Sequence, residues 1–391
     1  MNIDENRVYK DVEKLSFPRL VGSEGEAKAR EFIIEELQKI GFKEIKREKF
    51  LTSTFIWNLI RYAFVIIGII IILTGYFLAI LPLISIILAG LIIFFVFKLL
   101  GTAGSNKIRL YRNAKKNIET ENIICEIPHS GAKNTFIFIG HYDTKSQSFP
   151  TAVRMLIIMI PVFGTLFLML AIIVLGILKL TLGLSFSIVE MIIFYLTVIF
   201  SLIGIVNFFN KTENKSIGSL DNATGVAILL ELARFFKNYN DIKSNLIFLF
   251  TSSEELNLGG AIDYFNKHQK ELSKENTYII NYDLAGGHNE IRILTAHGIP
   301  KKSIKNELTD LFLKIGKEQG LDVREYYIPT GAWVDNLVFA NNGFKTIWVG
   351  SGGVMKYVHS KKDNMEIVSK TGLKNVLELT LKLIKELESK T

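Results

Sequence analysis

The sequence predicts an α/β protein with a mostly parallel sheet and helices on both faces, plus four transmembrane helices in two hairpins. Three observations favour this fold class. Apolar runs of strand length alternate with amphipathic helical segments, which is the pattern of a largely parallel sheet. Acidic and histidine side chains follow several of these runs directly. Two long blocks contain no charged residue.

The two charge-free blocks predict the membrane spans. Of the 391 residues, 49% are hydrophobic, and residues 62–97 and 155–178 carry no charge. Because one spanning helix needs roughly 20 apolar residues, the first block suits two helices. The second block and the apolar run 191–209 predict two more. The four predicted spans are about Phe55–Thr74, Ala79–Leu100, Arg154–Leu178 and Leu184–Phe209.

Both hairpins lie inside the polar sequence rather than at its ends. We expect one α/β domain, because about 280 residues remain without the hairpins, enough for one large domain. The expected division is residues 1–51, 105–150 and 212–391 for this domain, with hairpins at 52–104 and 151–211.

The net charge of +8 is explained by membrane topology rather than by nucleic-acid binding. Basic residues follow each hairpin, whereas the hairpin tips carry only Lys179. Basic residues concentrate on the cytoplasmic side of membrane proteins. The sequence therefore predicts a multi-pass protein of the cell membrane with a cytoplasmic α/β domain. The basic residues concerned are Lys107, Arg109, Arg112, Lys115, Lys116, Lys211 and Lys215.

The first part of the chain predicts one helix and three strands. Ser23-Glu24-Gly25-Glu26 is a capping-box pattern, and the amphipathic helix that it opens ends at Gly41. A strand follows at Lys43–Phe50. Two Ile- and Phe-rich runs after the first hairpin, Asn122–Ile127 and Thr135–Ile139, predict neighbouring strands.

The part after the second hairpin alternates between the two kinds of element. Predicted helices are Val226–Phe236, Gly259–Lys270, Lys302–Gln319 and Thr371–Glu388. Predicted strands are Leu246–Phe250, Tyr278–Asp283, Val323–Ile328 and Lys345–Val349.

Three predicted strands end in side chains that bind metals. His141 and Asp143 follow one strand, Glu254 and Glu255 follow the next, and Asp283 ends a third. Ligands of open α/β sheets bind beyond the carboxyl ends of the strands. Imidazole and carboxylate groups bind zinc, and paired ions can activate a water and polarise a carbonyl together. Of adjacent acids such as Glu254 and Glu255, one could hold a metal while the other acts as a general base.

Two loop residues, Asp221 and His359, complete the candidate set. Taken singly, several of these residues have simpler roles. Asp221 could cap the helix that follows it, His359 could be a surface histidine, and Asp283 a turn residue.

Together these motifs resemble the M28 family of zinc peptidases, over nearly all of the polar chain. The resemblance begins with RLVGSEGEAKAREFI at Arg19–Ile33. Five motifs then follow in the family's order: GHYDT (Gly140–Thr144), LDNATGVAILLE (Leu220–Glu231), SSEELNLGG (Ser252–Gly260), NYDLAG (Asn281–Gly286) and VHSKKDN (Val358–Asn364).

The resemblance implies a zinc-exopeptidase fold with two zinc ions per chain. One ion would be held by His141, Asp221 and Asp283, and the other by Asp221, Glu255 and His359, with Asp221 as the bridge. Glu254 matches the general base, which takes a proton from the attacking water. Asp143 matches the acid that orients His141. Val358 stands where members often carry a tyrosine, so the oxyanion donor stays open.

We therefore expect a membrane-embedded two-zinc exopeptidase, specifically an aminopeptidase acting on short peptides. Its expected partners are a peptide substrate and the lipid bilayer, without nucleic acid, and the oligomeric state stays open. Alternatives are a carboxypeptidase or glutaminyl cyclase of the same fold, or a non-catalytic membrane binding module. A transporter is disfavoured because the ionisable residues of the spans lie towards their ends.

Overall fold

The helices and strands follow the alternation seen in the sequence. The computed structural model describes residues 3–101, 116–239, 241–288, 290–329 and 334–389. Its strands are β1 (Lys46–Thr52), β2 (Ile118–Ile127), β3 (Thr135–His141), β4 (Ser146–Gln147), β5 (Thr212–Glu213), β6 (Asn245–Thr251), β7 (Thr277–Tyr282), β8 (Ile291–His297), β9 (Lys302–Ser303), β10 (Val323–Ile328) and β11 (Lys345–Ser351). Its helices are α1 (Glu5–Leu15), α2 (Glu24–Ile40), α3 (Phe55–Ile80), α4 (Pro82–Gly101), α5 (Thr151–Leu182), α6 (Ser187–Ile205), α7 (Thr224–Lys237), α8 (Gly259–His268), α9 (Glu307–Glu318), α10 (Asn336–Ala340) and α11 (Lys370–Glu388).

The chain divides into two compact units. The α/β unit comprises Met1–Thr54, Ala103–Ser146 and Glu213–Thr391, and the helical unit comprises Phe55–Thr102 and Gln147–Thr212. The basic residues of 107–115 and the domain boundary expected at 104/105 lie outside the described residues.

The α/β unit is built on a nine-stranded sheet with the order β1-β2-β6-β3-β7-β11-β8-β10, and β9 pairs with β8. The pairs β6–β3, β3–β7 and β7–β11 are parallel, which confirms the expected α/β fold with a mostly parallel sheet. The expectation that β2 and β3 are neighbours is wrong. β6 lies between them, antiparallel to β2 and parallel to β3.

The central strands are buried on both faces. In β3, Phe136 and Phe138 join the main apolar core, which also contains residues of α1, α2, α7 and α11. Ile137 and Ile139 point to the opposite face, because side chains alternate along a strand, and both are fully buried as well. This explains why these strands appear in the sequence as continuous apolar runs.

Local capping fixes the helix ends. Ser23 accepts a hydrogen bond from the Glu26 amide, and α2 ends at Gly41 with φ of +100°, both as expected. Glu26, however, accepts from the Gly22 amide at 2.6 Å rather than completing the capping box with Ser23. The helix predicted from Lys302 begins only at Glu307, because Asn306 caps it through the Leu308 amide.

The helical unit contains four apolar helices, α3 to α6. Three stretches, Trp57–Ile80, Val153–Leu182 and Ser187–Phe209, are long and apolar enough to cross a membrane, and Pro82–Lys98 is a shorter apolar helix. The expected end of the first span at Thr74 is wrong, since α3 continues to Ile80.

Gly75 lies inside α3, at a close approach to α6. A Cβ atom at Gly75 would lie 2.4 Å from Oγ1 of Thr197 in α6, so glycine allows the two helices to approach. The helix ends instead just before Pro82, which cannot donate a backbone hydrogen bond.

Charged side chains of the helical unit join its helices near their ends. Lys179 Nζ lies 2.8 Å from Glu190 Oε1 and donates to the Ala79 carbonyl at 2.8 Å. Arg61 Nε donates to the Phe208 carbonyl at 2.7 Å. Much of the outer surface between these groups is apolar: Phe167 is 74% exposed and Ile188 69% exposed.

Candidate metal centre

The candidate site lies at the carboxyl edge of the parallel strands. β3 ends at His141, which pairs in register with Thr251 at the end of β6. Asp283 directly follows β7, and its amide donates to the Val349 carbonyl of β11 at 3.2 Å. Because neighbouring parallel strands end at one edge, three separate segments bring their polar residues together there.

Five of the predicted residues form two groups that share Asp221. In the first, His141 Nε2 lies 3.3 Å from Asp221 Oδ1 and 3.5 Å from Asp283 Oδ1. In the second, His359 Nε2 lies 3.4 Å from Asp221 Oδ2 and 3.0 Å from Glu255 Oε2. Asp221 thus turns one carboxylate oxygen towards each group.

These distances fit a zinc ion in each group. Ligand atoms about 2.0 Å from a tetrahedral ion are separated by about 3.3 Å. Within the described residues, His141 Nε2, Asp283 Oδ1 and Glu255 Oε1 are buried and make no hydrogen bond. Buried polar atoms are almost always partnered, so unpaired lone pairs on three clustered residues indicate a cation site.

The second group depends on a backbone conformation uncommon for histidine. His359 has φ of +58°, in the left-handed region that side chains other than glycine seldom adopt. Strained residues of this kind cluster at functional sites, where the surrounding structure holds them.

Asp143 holds the turn that carries the paired glutamates. Its two carboxylate oxygens accept hydrogen bonds from the Glu254 amide at 3.1 Å and the Glu255 amide at 3.2 Å. His141 Nδ1 is 3.0 Å from the Asp143 backbone carbonyl but 3.6 Å from its carboxylate. The His141 ring is therefore oriented chiefly by the Asp143 main chain.

Two further side chains, those of Asp363 and Trp348, support the first group. Asp363 accepts from the amides of Leu220 and Asp221, at 2.7 and 3.1 Å. Trp348 Nε1 donates to Asp283 Oδ2 at 3.3 Å, leaving Oδ1 directed at His141.

Glu254 is buried beside the first group, with Oε2 3.9 Å from His141 Nε2. Burial raises the pKa of Glu254 well above its usual range; His141 opposes this shift, and the charges of Glu255 and Asp283 add to it. A raised pKa makes a carboxylate a stronger base, and its position beside the first group suits Glu254 to accept a proton there.

The charges of the cluster shift the pKa values of three proposed ligands. Burial would lower the pKa of His141, but Glu254, Asp143, Asp221 and Asp283 raise it well above its ordinary value. Burial raises the pKa of Asp221 to about 6, and the charge of Glu255 contributes.

The pKa of Glu255 moves in the opposite direction. Burial alone would raise this pKa, yet the positive charges of His359 and Lys145 hold it well below its usual range.

Sequence reasoning missed several residues of the site. Lys145 Nζ lies 2.8 Å from Glu255 Oε2, and Asp335 accepts from Thr251 Oγ1 at 2.5 Å. Burial raises the pKa of Asp335 to about 7. Lys145 directly follows the GHYDT motif, so its position in the sequence was the available signal. Asp335 lies in Val334–Phe339, which resembles a Ser-Asp-His-x-x-Phe stretch of M28 members with Asn336 in place of the His, so a signal was present for it as well.

Comparisons with known proteins agree with this architecture. The family model described as Peptidase family M28 matches residues 204–384. This range includes Asp221, Glu255, Asp283 and His359, whereas His141 lies before it. The chain thus carries an M28-type region, which supports a peptidase-type enzyme. The sequence matches none of the curated proteins.

Solved structures share the fold at low sequence identity. A glutaminyl cyclase from an Acidobacteriales bacterium is 13% identical, with a TM-score of 0.58. The match covers 100% of this chain and 97% of the cyclase chain. LapB from Legionella pneumophila is 15% identical, with a TM-score of 0.56 and coverages of 99% and 72%. A leucine aminopeptidase precursor from Bacteroides thetaiotaomicron is 14% identical, with a TM-score of 0.56 and coverages of 98% and 97%.

Proposed function

We propose that this chain is a membrane-embedded two-zinc exopeptidase, specifically an aminopeptidase that removes N-terminal residues from short peptides. The observation that carries the proposal is the pair of ligand groups sharing Asp221, with the Glu254 carboxyl beside them. The M28-type region supports the peptidase class.

The proposed roles follow the geometry. His141, Asp221 and Asp283 would hold one zinc ion, and Asp221, Glu255 and His359 the other. Bound zinc would polarise the scissile carbonyl and lower the pKa of the attacking water. Glu254 accepts a proton from that water and passes it to the leaving amine. Asp143 keeps the Glu254–Glu255 turn in place through two backbone hydrogen bonds.

The proposed membrane arrangement places all four helices of the helical unit in the bilayer. Pro82–Lys98 spans about 25 Å at 1.5 Å per residue, close to the hydrocarbon thickness, and Lys98 can extend its charge towards the interface. An even number of spans keeps the segments of the α/β unit on one side, and the basic residues after each hairpin favour the cytoplasm.

A matched pair of substitutions at Glu254 and Glu255 tests the chemistry. Glu254→Gln keeps the shape of the side chain but removes the proton acceptor, so turnover falls by about 10²–10⁴ with zinc content unchanged. Glu255→Gln lowers the zinc content instead. Normal turnover by Glu254→Gln would reject its assigned role, and absence of zinc from the wild-type protein would reject the metallopeptidase.

A peptide panel separates the alternatives that share the fold. Peptides with free N-termini are cleaved by an aminopeptidase, whereas N-acetylated peptides with free C-termini are cleaved by a carboxypeptidase. A peptide beginning with glutamine reports cyclisation through release of ammonia. A chain that binds zinc but turns over none of these peptides would be a binding module.

Single cysteines test the membrane arrangement, since native Cys125 is buried. Ser185→Cys, between α5 and α6, reacts with a membrane-impermeant maleimide in intact cells. Ser303→Cys, on the exposed surface of the α/β unit, reacts only after the cells are opened. The reverse pattern would place the α/β unit outside.

A further inference from the structure

Among the described residues, Arg19 is the largest side chain that is completely buried, at 0% exposure. A guanidinium loses much solvation on burial, so it is retained only where its donors are satisfied. Here backbone carbonyls satisfy them. Burial lowers the pKa of Arg19 to about 10, and the charges of Asp363, Asp143 and Asp221 oppose this shift.

The guanidinium joins three segments that are distant in sequence. The first is its own segment, through the carbonyls of Leu15 and Phe17. The second directly follows His141: Nε donates to the Tyr142 carbonyl at 2.8 Å. The third precedes Asp221: Nη1 donates to the Ile217 carbonyl at 2.9 Å and Nη2 to the Gly218 carbonyl at 3.0 Å.

The main chain of Arg19 strengthens the second of these links. Its amide donates to Thr144 Oγ1 at 2.8 Å, and the Thr144 amide donates to the Arg19 carbonyl at 3.1 Å. Packing here is tight, because a Cβ atom at Gly218 would lie 2.2 Å from Thr144 Cγ2. The segments after His141 and before Asp221 are therefore held against each other as well as against Arg19.

These two segments lie on either side of Gln147–Thr212, the second part of the helical unit. His141 and Asp221, two proposed ligands of one ion, are separated in sequence by that insertion. Their side chains nevertheless lie 3.3 Å apart. Within the α/β unit, Arg19 contacts the chain both where it leaves for the insertion and where it returns.

We propose that Arg19 is a positioning residue that holds the two ends of this insertion together and thereby sets the distance between His141 and Asp221. The inference rests on the proposed metal centre. Lysine cannot replace arginine here, because one ammonium offers three donors from a single nitrogen, whereas the guanidinium fork reaches carbonyls on three segments at once.

The test compares two arginines of the α/β unit, Arg19 and Arg234, in the full-length protein. Arg19→Lys is expected to weaken zinc binding about 10–100-fold, the usual effect of losing a group that supports metal ligands. Arg234→Lys is the matched control. The Arg234 side chain is 13% exposed and pairs with Asp11 and Glu36, but it lies about 15 Å along α7 from the start of that helix. It should lower stability without changing zinc affinity.

A second pair of variants covers the case in which Arg19→Lys fails to fold. Thr144→Val keeps the volume of the side chain but removes the acceptor for the Arg19 amide, whereas Thr144→Ser keeps it. Zinc titration calorimetry well below the unfolding temperature should show weaker zinc binding by Thr144→Val and near wild-type zinc binding by Thr144→Ser.

The outcomes separate this inference from the proposed function. If the wild-type protein binds no zinc, the metal centre itself is wrong. If it binds zinc and neither Arg19→Lys nor Thr144→Val changes the affinity relative to the matched variants, Arg19 has only a structural role and the inference fails.

Discussion

Substitution of Asp143 tests whether this carboxylate acts by holding the glutamate turn. It is fully buried, and each of its oxygens accepts one backbone hydrogen bond, from Glu254 and from Glu255. Hydrogen bonds to a charged group contribute about 1.5–3 kcal/mol each. Asp143→Asn retains one acceptor oxygen and should lower the free energy of unfolding by about 1.5–3 kcal/mol, and Asp143→Ala by about twice that.

Asp143→Asn should also lower turnover, because it changes the position of the glutamate turn. Loss of one hydrogen bond from a backbone amide loosens the turn. A displacement of about 1 Å at a reacting group can lower turnover about 10²-fold. Protection of the Glu254 and Glu255 amides from hydrogen exchange should fall in parallel.

The assay is urea unfolding in detergent with a chelator present, which removes any contribution of bound metal. Asp322→Asn is the control, because Asp322 forms an exposed ion pair with Arg324 that contributes about 0–1 kcal/mol. The proposed role of the two hydrogen bonds from backbone amides would be refuted if Asp143→Asn and Asp143→Ala lowered the free energy of unfolding equally. It would also be refuted if neither lowered it more than the control does.

Two further predictions concern single contacts of the α/β unit. Trp348→Phe removes the hydrogen bond to Asp283 and should weaken zinc binding about 10-fold or more without abolishing folding; unchanged affinity would contradict this. Burial lowers the pKa of His268, but hydrogen bonds to Glu271 and Glu48 outweigh it and raise this pKa above its ordinary value. The stability that these hydrogen bonds contribute is therefore complete at pH values below the pKa of His268 in the unfolded chain. It is lost as the pH rises through the pKa of His268 in the folded protein. His268→Gln should be more destabilising at pH 5.5 than at pH 9, as measured by urea unfolding, and equal effects at both pH values would count against the pairing.

The features that the sequence predicted best are strand bounds and helix ends, which depend on a local residue pattern. The strand Val323–Ile328 was placed at its observed ends, and the cap at Ser23 and the stop at Gly41 follow from local backbone chemistry. The residues of the two ligand groups were identified through strand ends and the M28 resemblance, and the structure brings the ligand atoms of each group within 4.8 Å of one another.

Long-range relations were harder to predict. No local signal places β6 between β2 and β3, because strand order depends on chain crossings rather than on the composition of each strand. Strand β8 was missed because its charged residue and short apolar alternation give a weak pattern. Asp363 and Arg19 act on backbone groups far away in sequence, so their residue types alone did not indicate their roles.

The position of β6 also bears on how the protein is made. As the chain leaves the ribosome, β2 and β3 are complete before α5 and α6 are synthesised, yet the strand that pairs with both comes only afterwards. At 5–20 residues per second, the interval between the ends of β3 and β6 lasts roughly 5–20 s. During that time the edges of β2 and β3 that pair with β6 stay unpaired, while α5 and α6, the proposed membrane hairpin, are synthesised. The last proposed ligand, His359, is made later still. The proposed metal centre is therefore complete only after all four helices of the helical unit have been synthesised, so a chain that stops before them lacks at least four of its five proposed ligands.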